Sequence, residues 1–115
     1  MYCLVRDDLN LAKGQLAVQC SHAFMKAGLL TLSEDAPRWA NYLQESFIKV
    51  CLRVPNLAIM LECQRFLHER GIVAVTFEDT GYPQFLGKPE QTTLGIGPCR
   101  KSELSNILRR FQTIR

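Results

Sequence analysis

No apolar run in the 115 residues approaches the roughly 20 needed to cross a bilayer, which excludes a membrane-spanning helix. The chain passes straight into a strand-like segment with no basic stretch before an apolar one, so no secretory signal is expected. The five cysteines (Cys3, Cys20, Cys51, Cys63 and Cys99) form no C-x-x-C pair and no metal-ligand spacing. An odd, scattered set favours reduced thiols in the cytoplasm over a disulfide framework. Strong charge is missing too: a net charge of +3 is compatible with a polyanionic partner but does not demand one. There is no internal repeat and no low-complexity segment. What is present is an ordinary globular composition, 47% apolar and 22% charged, over a length with room for one core, so residues 1–115 are read as one domain.

Taken in order, the chain punctuates itself. Tyr2 to Arg6 is a short apolar strand closed by Asp7 and Asp8. A helix is expected from about Ala12 to about Leu32. Asp35 and Pro37 open a second one, with Trp39, Tyr42 and Leu43 on its buried side. From Phe47 to Val54 the period changes to two, a strand ended by Pro55. Asn56 caps a third helix reaching about Arg70, and Gly71 is its left-handed terminator. Ile72 to Phe77 is a β-branched strand followed by the turn Glu78-Asp79-Thr80-Gly81. After a loop from Tyr82 to Glu90 comes a fourth strand, Gln91 to Ile96. Leu104, Ile107, Leu108 and Phe111 then fall at i, i+3, i+4 and i+7, an amphipathic C-terminal helix with Arg109-Arg110 in its last turns. The order β-α-α-β-α-β-β-α predicts an α/β domain with helices on both faces of a largely parallel or mixed sheet.

The first helix carries two stripes. Leu16, Cys20, Ala23, Ala27 and Leu30 form an apolar one that should face the core. Gln15, Gln19, His22 and Lys26 form a polar one, which is either a solvated face or a functional one. Cys20 and His22, two residues apart, lie on different faces, which argues against a Cys-His nucleophilic pair. The start of this helix, the Glu78-Gly81 turn and the segment Thr92-Thr93-Leu94-Gly95-Ile96-Gly97-Pro98 are expected to gather at one sheet edge, where ligands of α/β folds bind.

Arg6-Asp7-Asp8-Leu9, then Lys13-Gly14-Gln15-Leu16-Ala17-Val18-Gln19 with Ser21-His22-Ala23, resembles the opening of the second-type (archaeal and eukaryotic type) peptidyl-tRNA hydrolases. The resemblance continues at Glu78-Asp79-Thr80-Gly81 and at Thr92 to Pro98, in the same order over nearly the whole chain. It implies a mixed four-stranded sheet between helices, and hydrolysis of the ester joining a peptide to the 3′ ribose of tRNA. It also implies no metal or other cofactor, no membrane, and in many members a homodimer. The family's catalytic aspartate falls on Asp79, its last-strand threonine on Thr92 or Thr93, and its helix polar groups on Gln19 and His22.

Two departures stand out. The family's lysine after the Lys-Gly pair is here Gln15, and its threonine after the aspartate turn is here Pro83. An amide carries no charge and cannot replace an ammonium at an oxyanion. Lys13, two residues away, and Lys88 are the candidate substitutes. Asp79 either holds the attacking water or only caps its own turn. His22 is a base or a contact for the terminal adenosine. Gly95 and Gly97 would let a ligand approach the backbone, or would only make a tight turn. Arg100 and Lys101 are the most suggestive phosphate contacts among Lys13, Lys26, Lys49, Arg53, Lys88, Arg100 and Lys101. Three readings stay open: the hydrolase itself, a tRNA-binding relative that lost the reaction, and a hydrolase of another acyl substrate.

Overall fold

Tyr2–Arg6 (β1), Val50–Val54 (β2), Ala74–Asp79 (β3) and Glu90–Ile96 (β4) form one sheet in the order β2-β1-β4-β3. β1 and β2 are parallel, while β4 runs antiparallel to both β1 and β3, so the sheet is mixed as expected. These strands belong to a computed structural model that describes residues 1–81, 85–104 and 106–115. The loop expected from Tyr82 falls partly outside the described residues, and Pro83 with it. A short 3-10 turn, Asp7–Leu9, which the sequence reading did not separate, leads from β1 to the long helix α1, Lys13–Glu34. Helix α2, Ala36–Gln44, follows at once. Its start is fixed by Asp35, whose carboxylate accepts the Arg38 backbone N–H at 3.2 Å, and by Pro37 in the first turn. Helix α3, Leu57–Glu69, is capped by Asn56 Oδ1 on the Ile59 N–H at 3.0 Å and ends at Gly71, φ +70°.

Strand alternation divides the core between two faces. Leu4, Leu52, Val54, Leu94 and Ile96 pack with Met60, Cys63 and Leu67 of α3. Cys3 and Val5 point the other way and pack with Cys20 and Ala23 of α1. On β4 the residues facing α1 include Gly95, and Gly97 follows it just past the strand. A Cβ on Gly95 would stand 2.2 Å from the Ala23 carbonyl oxygen, and one on Gly97 would stand 2.5 Å from Thr31 Oγ1. Bare backbone at these points lets α1 lie directly on the sheet. Among the described residues no helix is long and apolar enough to cross a membrane.

Four expectations change. The third strand is Ala74–Asp79 rather than Ile72 to Phe77, because Glu78 and Asp79 still pair with Gln91 and Glu90 and so extend the strand before the turn. The second strand begins at Val50 rather than Phe47, because Phe47 has φ +54°, a left-handed turn that a strand cannot run through. Leu43, expected inside, is half exposed. The C-terminal helix is only Lys101–Leu104 (α4). Beyond it the chain makes successive i→i+3 turns, with Ile107 N–H on Leu104 O, Arg109 N–H on Asn106 O and Phe111 N–H on Leu108 O. A period of three still keeps Leu104, Ile107, Leu108 and Phe111 on the α3 face, so the apolar pattern was right and the helix was not. The tail then lies extended along β2: Thr113 bridges Leu52, Arg53 N–H bonds Gln112 O and Ile114 N–H bonds Cys51 O. This covers an otherwise open sheet edge. Arg38 ties α2 to this end of the molecule through the Pro98 carbonyl (2.9 Å) and Glu103 (3.0 Å).

The close crossing at Gly95 yields a stability test. Gly95→Ala is expected to lower unfolding stability by about 1–3 kcal/mol, the usual cost of overpacking, read from denaturant melts. Stability equal to wild type would mean that α1 can lift without loss.

Candidate functional site

The polar stripe of α1 runs along the sheet: Gln19, His22 and Lys26 each meet β3, although Lys26 is exposed, while Gln15 stays at the helix start. Gln19 is fully buried. Its Nε2 donates to Asp79 Oδ2 at 3.0 Å, and its Oε1 accepts a short hydrogen bond from Thr92 Oγ1. Because the carboxylate can only accept, the amide nitrogen must face Asp79, which leaves its oxygen to accept from the Thr92 hydroxyl. The other carboxylate oxygen, Asp79 Oδ1, accepts the Gly81 backbone N–H at 2.6 Å. Asp79 therefore caps its turn, the second of the two alternatives read from the sequence, and it also meets α1. Its pKa is held below the usual carboxylate value, chiefly by the Gly81 N–H, then by the Gln19 amide, with the charge of His22 adding to both.

Thr92 reaches Gln19 because the sheet is irregular there. Phe77 pairs with Thr93, yet the next residue, Glu78, pairs with Gln91, which leaves Thr92 as the extra residue of a β-bulge. Regular alternation would send Thr92 to the α3 face; the bulge turns it to α1 beside Thr93. Both threonines are fully buried. Thr93 Oγ1 only reaches the Gln19 backbone carbonyl, at 3.5 Å, so of the two candidates Thr92 joins the Asp79 chain.

One turn along α1, the half-buried His22 ring stacks on Phe77 with centroids 4.4 Å apart and planes 24° apart. Lys26 Nζ donates to Thr76 O at 3.0 Å and lies 6.0 Å from the Phe77 ring centroid. In the sequence Phe77 is only a strand residue, and alternation alone gives no signal that it carries a histidine. A second missed element is Arg6, buried at the end of β1. It bonds Asp8 twice (2.8 and 3.1 Å), Glu90 by a short contact and the Gln91 carbonyl at 3.1 Å. It anchors the start of β4, next to Thr92. Its place in the Arg-Asp-Asp run was the only hint.

The remaining candidates divide. Lys13 is exposed at the first position of α1, and Gln15 is half buried with its Oε1 accepting the Ala12 backbone N–H at 3.1 Å, a helix-capping contact. Gln19, expected to touch substrate, has both ends of its amide engaged inside the protein. Gly95 and Gly97 are buried under α1 with their open sides filled by Ala23, Thr31 and Val73, so they are packing sites and no ligand approaches them. Nor do Arg100 and Lys101 join Asp79. β4 is antiparallel to β3, so Glu90 pairs with Asp79 while Ile96, at its other end, pairs with Ala74. Arg100 and Lys101 follow that far end and line a separate cavity of about 540 Å³ with Asp35, Arg38 and Tyr42. Arg100 there pairs with Glu45 at 3.4 Å. Lys88 is exposed in the loop before β4. Pro83 lies outside the described residues.

With this arrangement established, comparison with known proteins is decisive. The family described as Peptidyl-tRNA hydrolase PTH2 matches residues 1–114. The chain belongs to that family. Among individual relatives, a protein named peptidyl-tRNA hydrolase from Methanopyrus kandleri is 34% identical over 104 residues, covering 90% of this chain and 88% of its own. One of the same name from Aeropyrum pernix is 33% identical over 102 residues, covering 84% and 82%. A third, from Thermoplasma acidophilum, is 26% identical over 114 residues, covering 99% and 97%. Membership of PTH2 agrees with the resemblance read from the three motifs.

The Asp79 geometry sets a pH test. A lowered folded pKa stabilises the fold above the unfolded carboxylate value of about 4, and that stability is lost as pH falls through the lower folded value. Asp79→Asn is expected to show a flatter loss of stability than wild type below about pH 4. Identical acid limbs in denaturant melts would contradict a carboxylate held by Gly81 and Gln19.

Proposed function

We propose that this chain hydrolyses the ester between a peptide and the 3′ ribose of tRNA, and that Asp79 orients the attacking water. The observation that carries the reading is the one-directional chain from Thr92 through the buried Gln19 amide to Asp79, in a protein of the PTH2 family. A carboxylate with one bond at each oxygen keeps lone pairs for a water. Its lowered pKa makes it a weak proton acceptor, so its task is orientation, and the imidazole of His22 is the group suited to accept the proton. Thr92 and Gln19 are positioning residues, too buried to touch substrate. Lys13 at the start of α1 is the cation proposed to replace the family's lysine, meeting the oxyanion together with backbone donors. Affinity for tRNA comes from exposed lysines and arginines on phosphates and falls with salt. Such a substrate places the work in the cytoplasm.

Gln15 supports a second reading. Its carbonyl is committed to the Ala12 N–H, and an amide supplies no charge, so the chain binds tRNA and turns it over slowly or not at all. One assay separates the two. On peptidyl-tRNA, wild type is expected to release tRNA and Asp79→Ala to lose about 100-fold or more of that rate. Binding without release by wild type, with release appearing in Gln15→Lys, supports the second reading and overturns the first.

The homodimer common in the family has its support on α1. Val18, Met25, Leu29 and Leu32 are each 45–69% exposed and recur at helical spacing along its outer side. Leu29→Glu is expected to convert a dimer to a monomer in light scattering; a wild-type monomer would remove the proposal.

A further inference from the structure

Three cysteines far apart in sequence meet on the α1 face of the sheet. Cys3 of β1 stands directly opposite Cys51 of β2. Cys20 of α1 packs on Cys3, and Cys51 packs against the same cluster. The three share one packing cluster, and all are free. Their exposures differ: Cys3 is sealed, Cys20 nearly so at 9%, and Cys51 is half buried on the strand covered by the C-terminal tail. The hydrolase chemistry above uses none of them.

We propose that Cys51 is a hydroperoxide-reactive thiol that closes a disulfide with Cys20. Geometry selects the pair. Cβ atoms directly opposite on parallel strands stay about as far apart as the strands, roughly 4.8 Å. That is wider than the roughly 3.5–4.5 Å a disulfide spans, which disfavours Cys3 as partner. Cys20 approaches from the helix layer above the sheet, so strand spacing does not set its distance to Cys51. Cys51 is also the most exposed of the three and so the one an oxidant in solvent reaches first, and the neighbouring Cys20 and Cys3 thiols hold its pKa below the ordinary value.

The steps balance. The Cys51 thiolate attacks one oxygen of hydrogen peroxide; the S–O bond forms, the O–O bond breaks, and the departing hydroxide takes a proton to leave as water. The Cys20 sulfur then attacks the Cys51 sulfenic sulfur, forming S–S and breaking S–O. The expelled hydroxide carries off the Cys20 proton as a second water. Two thiols are oxidised and one peroxide is reduced to water. Cys3 forms no bond.

Trypsin separates the three sites: Cys3 falls in residues 1–6, Cys20 in 14–26 and Cys51 in 50–53. After equimolar hydrogen peroxide and alkylation, the full-length protein is expected to lose two of its five thiols. The mass should fall by two hydrogens, and peptide 14–26 should be linked to 50–53 until a reductant is added. Cys51→Ser and Cys51→Ala should keep all their thiols under the same exposure, while Cys99→Ser should still form the link. If neither Cys51 variant folds, the wild-type peptide map decides alone. A link between 1–6 and 50–53, first oxidation at Cys63 or Cys99, or terminal oxidation of Cys51 without a link would each overturn the proposal.

Discussion

Gln19 is an uncharged amide with no exposure, and both of its ends are met: the Asp79 carboxylate, which can only accept, takes its N–H, and the Thr92 hydroxyl donates to its oxygen. Leaving either end unmet would cost about 1–3 kcal/mol, so the amide fixes α1 against β3 and β4 in rotation as well as in depth. The rest of the site is arranged around that requirement. Gly95 lets the Ala23 turn come down onto β4, which brings Gln19 within reach. The bulge at Thr92 supplies a hydroxyl on the correct face. Arg6 holds the strand start where the bulge sits, through Glu90 and the Gln91 carbonyl. Asp79, at the rim, receives what this framework provides: two hydrogen bonds that favour its charged form and define where its free lone pairs point.

Much of this could be read from the sequence, for reasons that differ by element. The four strands and three of the helices follow from period and punctuation, because Asp35, Asn56 and Gly71 act locally. The i, i+4, i+7 row of α1 put Gln15, Gln19, His22 and Lys26 on one face, and three of these do meet β3 or β4. What pattern cannot give is strand direction. Once β4 runs antiparallel to β3, Thr92 is carried to Asp79 while Gly97, Arg100 and Lys101 go to the opposite end. One long-range pairing thus decides which half of a continuous motif can serve the site. The bulge is equally invisible, which is why Thr92 and Thr93 could not be told apart. The glycines of that motif are required by the helix lying on them.

The amide at Gln15 is where the chain departs from the pattern that its resemblance to the family implies. Tied to the Ala12 N–H, it contributes to the start of α1 and leaves charge to be supplied by another group. Lys13 is exposed at the same helix start. The framework of Gln19, Thr92 and Asp79 does not depend on that charge, so the scaffold can persist whether the reaction is fast or slow. The His22 imidazole stacks on Phe77, which sets its plane, and Lys26 lies 6.0 Å from the centroid of the same Phe77 ring.

The coupling between the buried amide and the rim carboxylate is measured most directly by NMR titration of the Asp79 carboxyl in wild type and in Gln19→Ala. The account predicts a wild-type pKa below the ordinary aspartate value and an upward move in the variant, with the Gly81 N–H keeping part of the depression. A wild-type value at the ordinary position, or one that Gln19→Ala leaves unmoved, would contradict it.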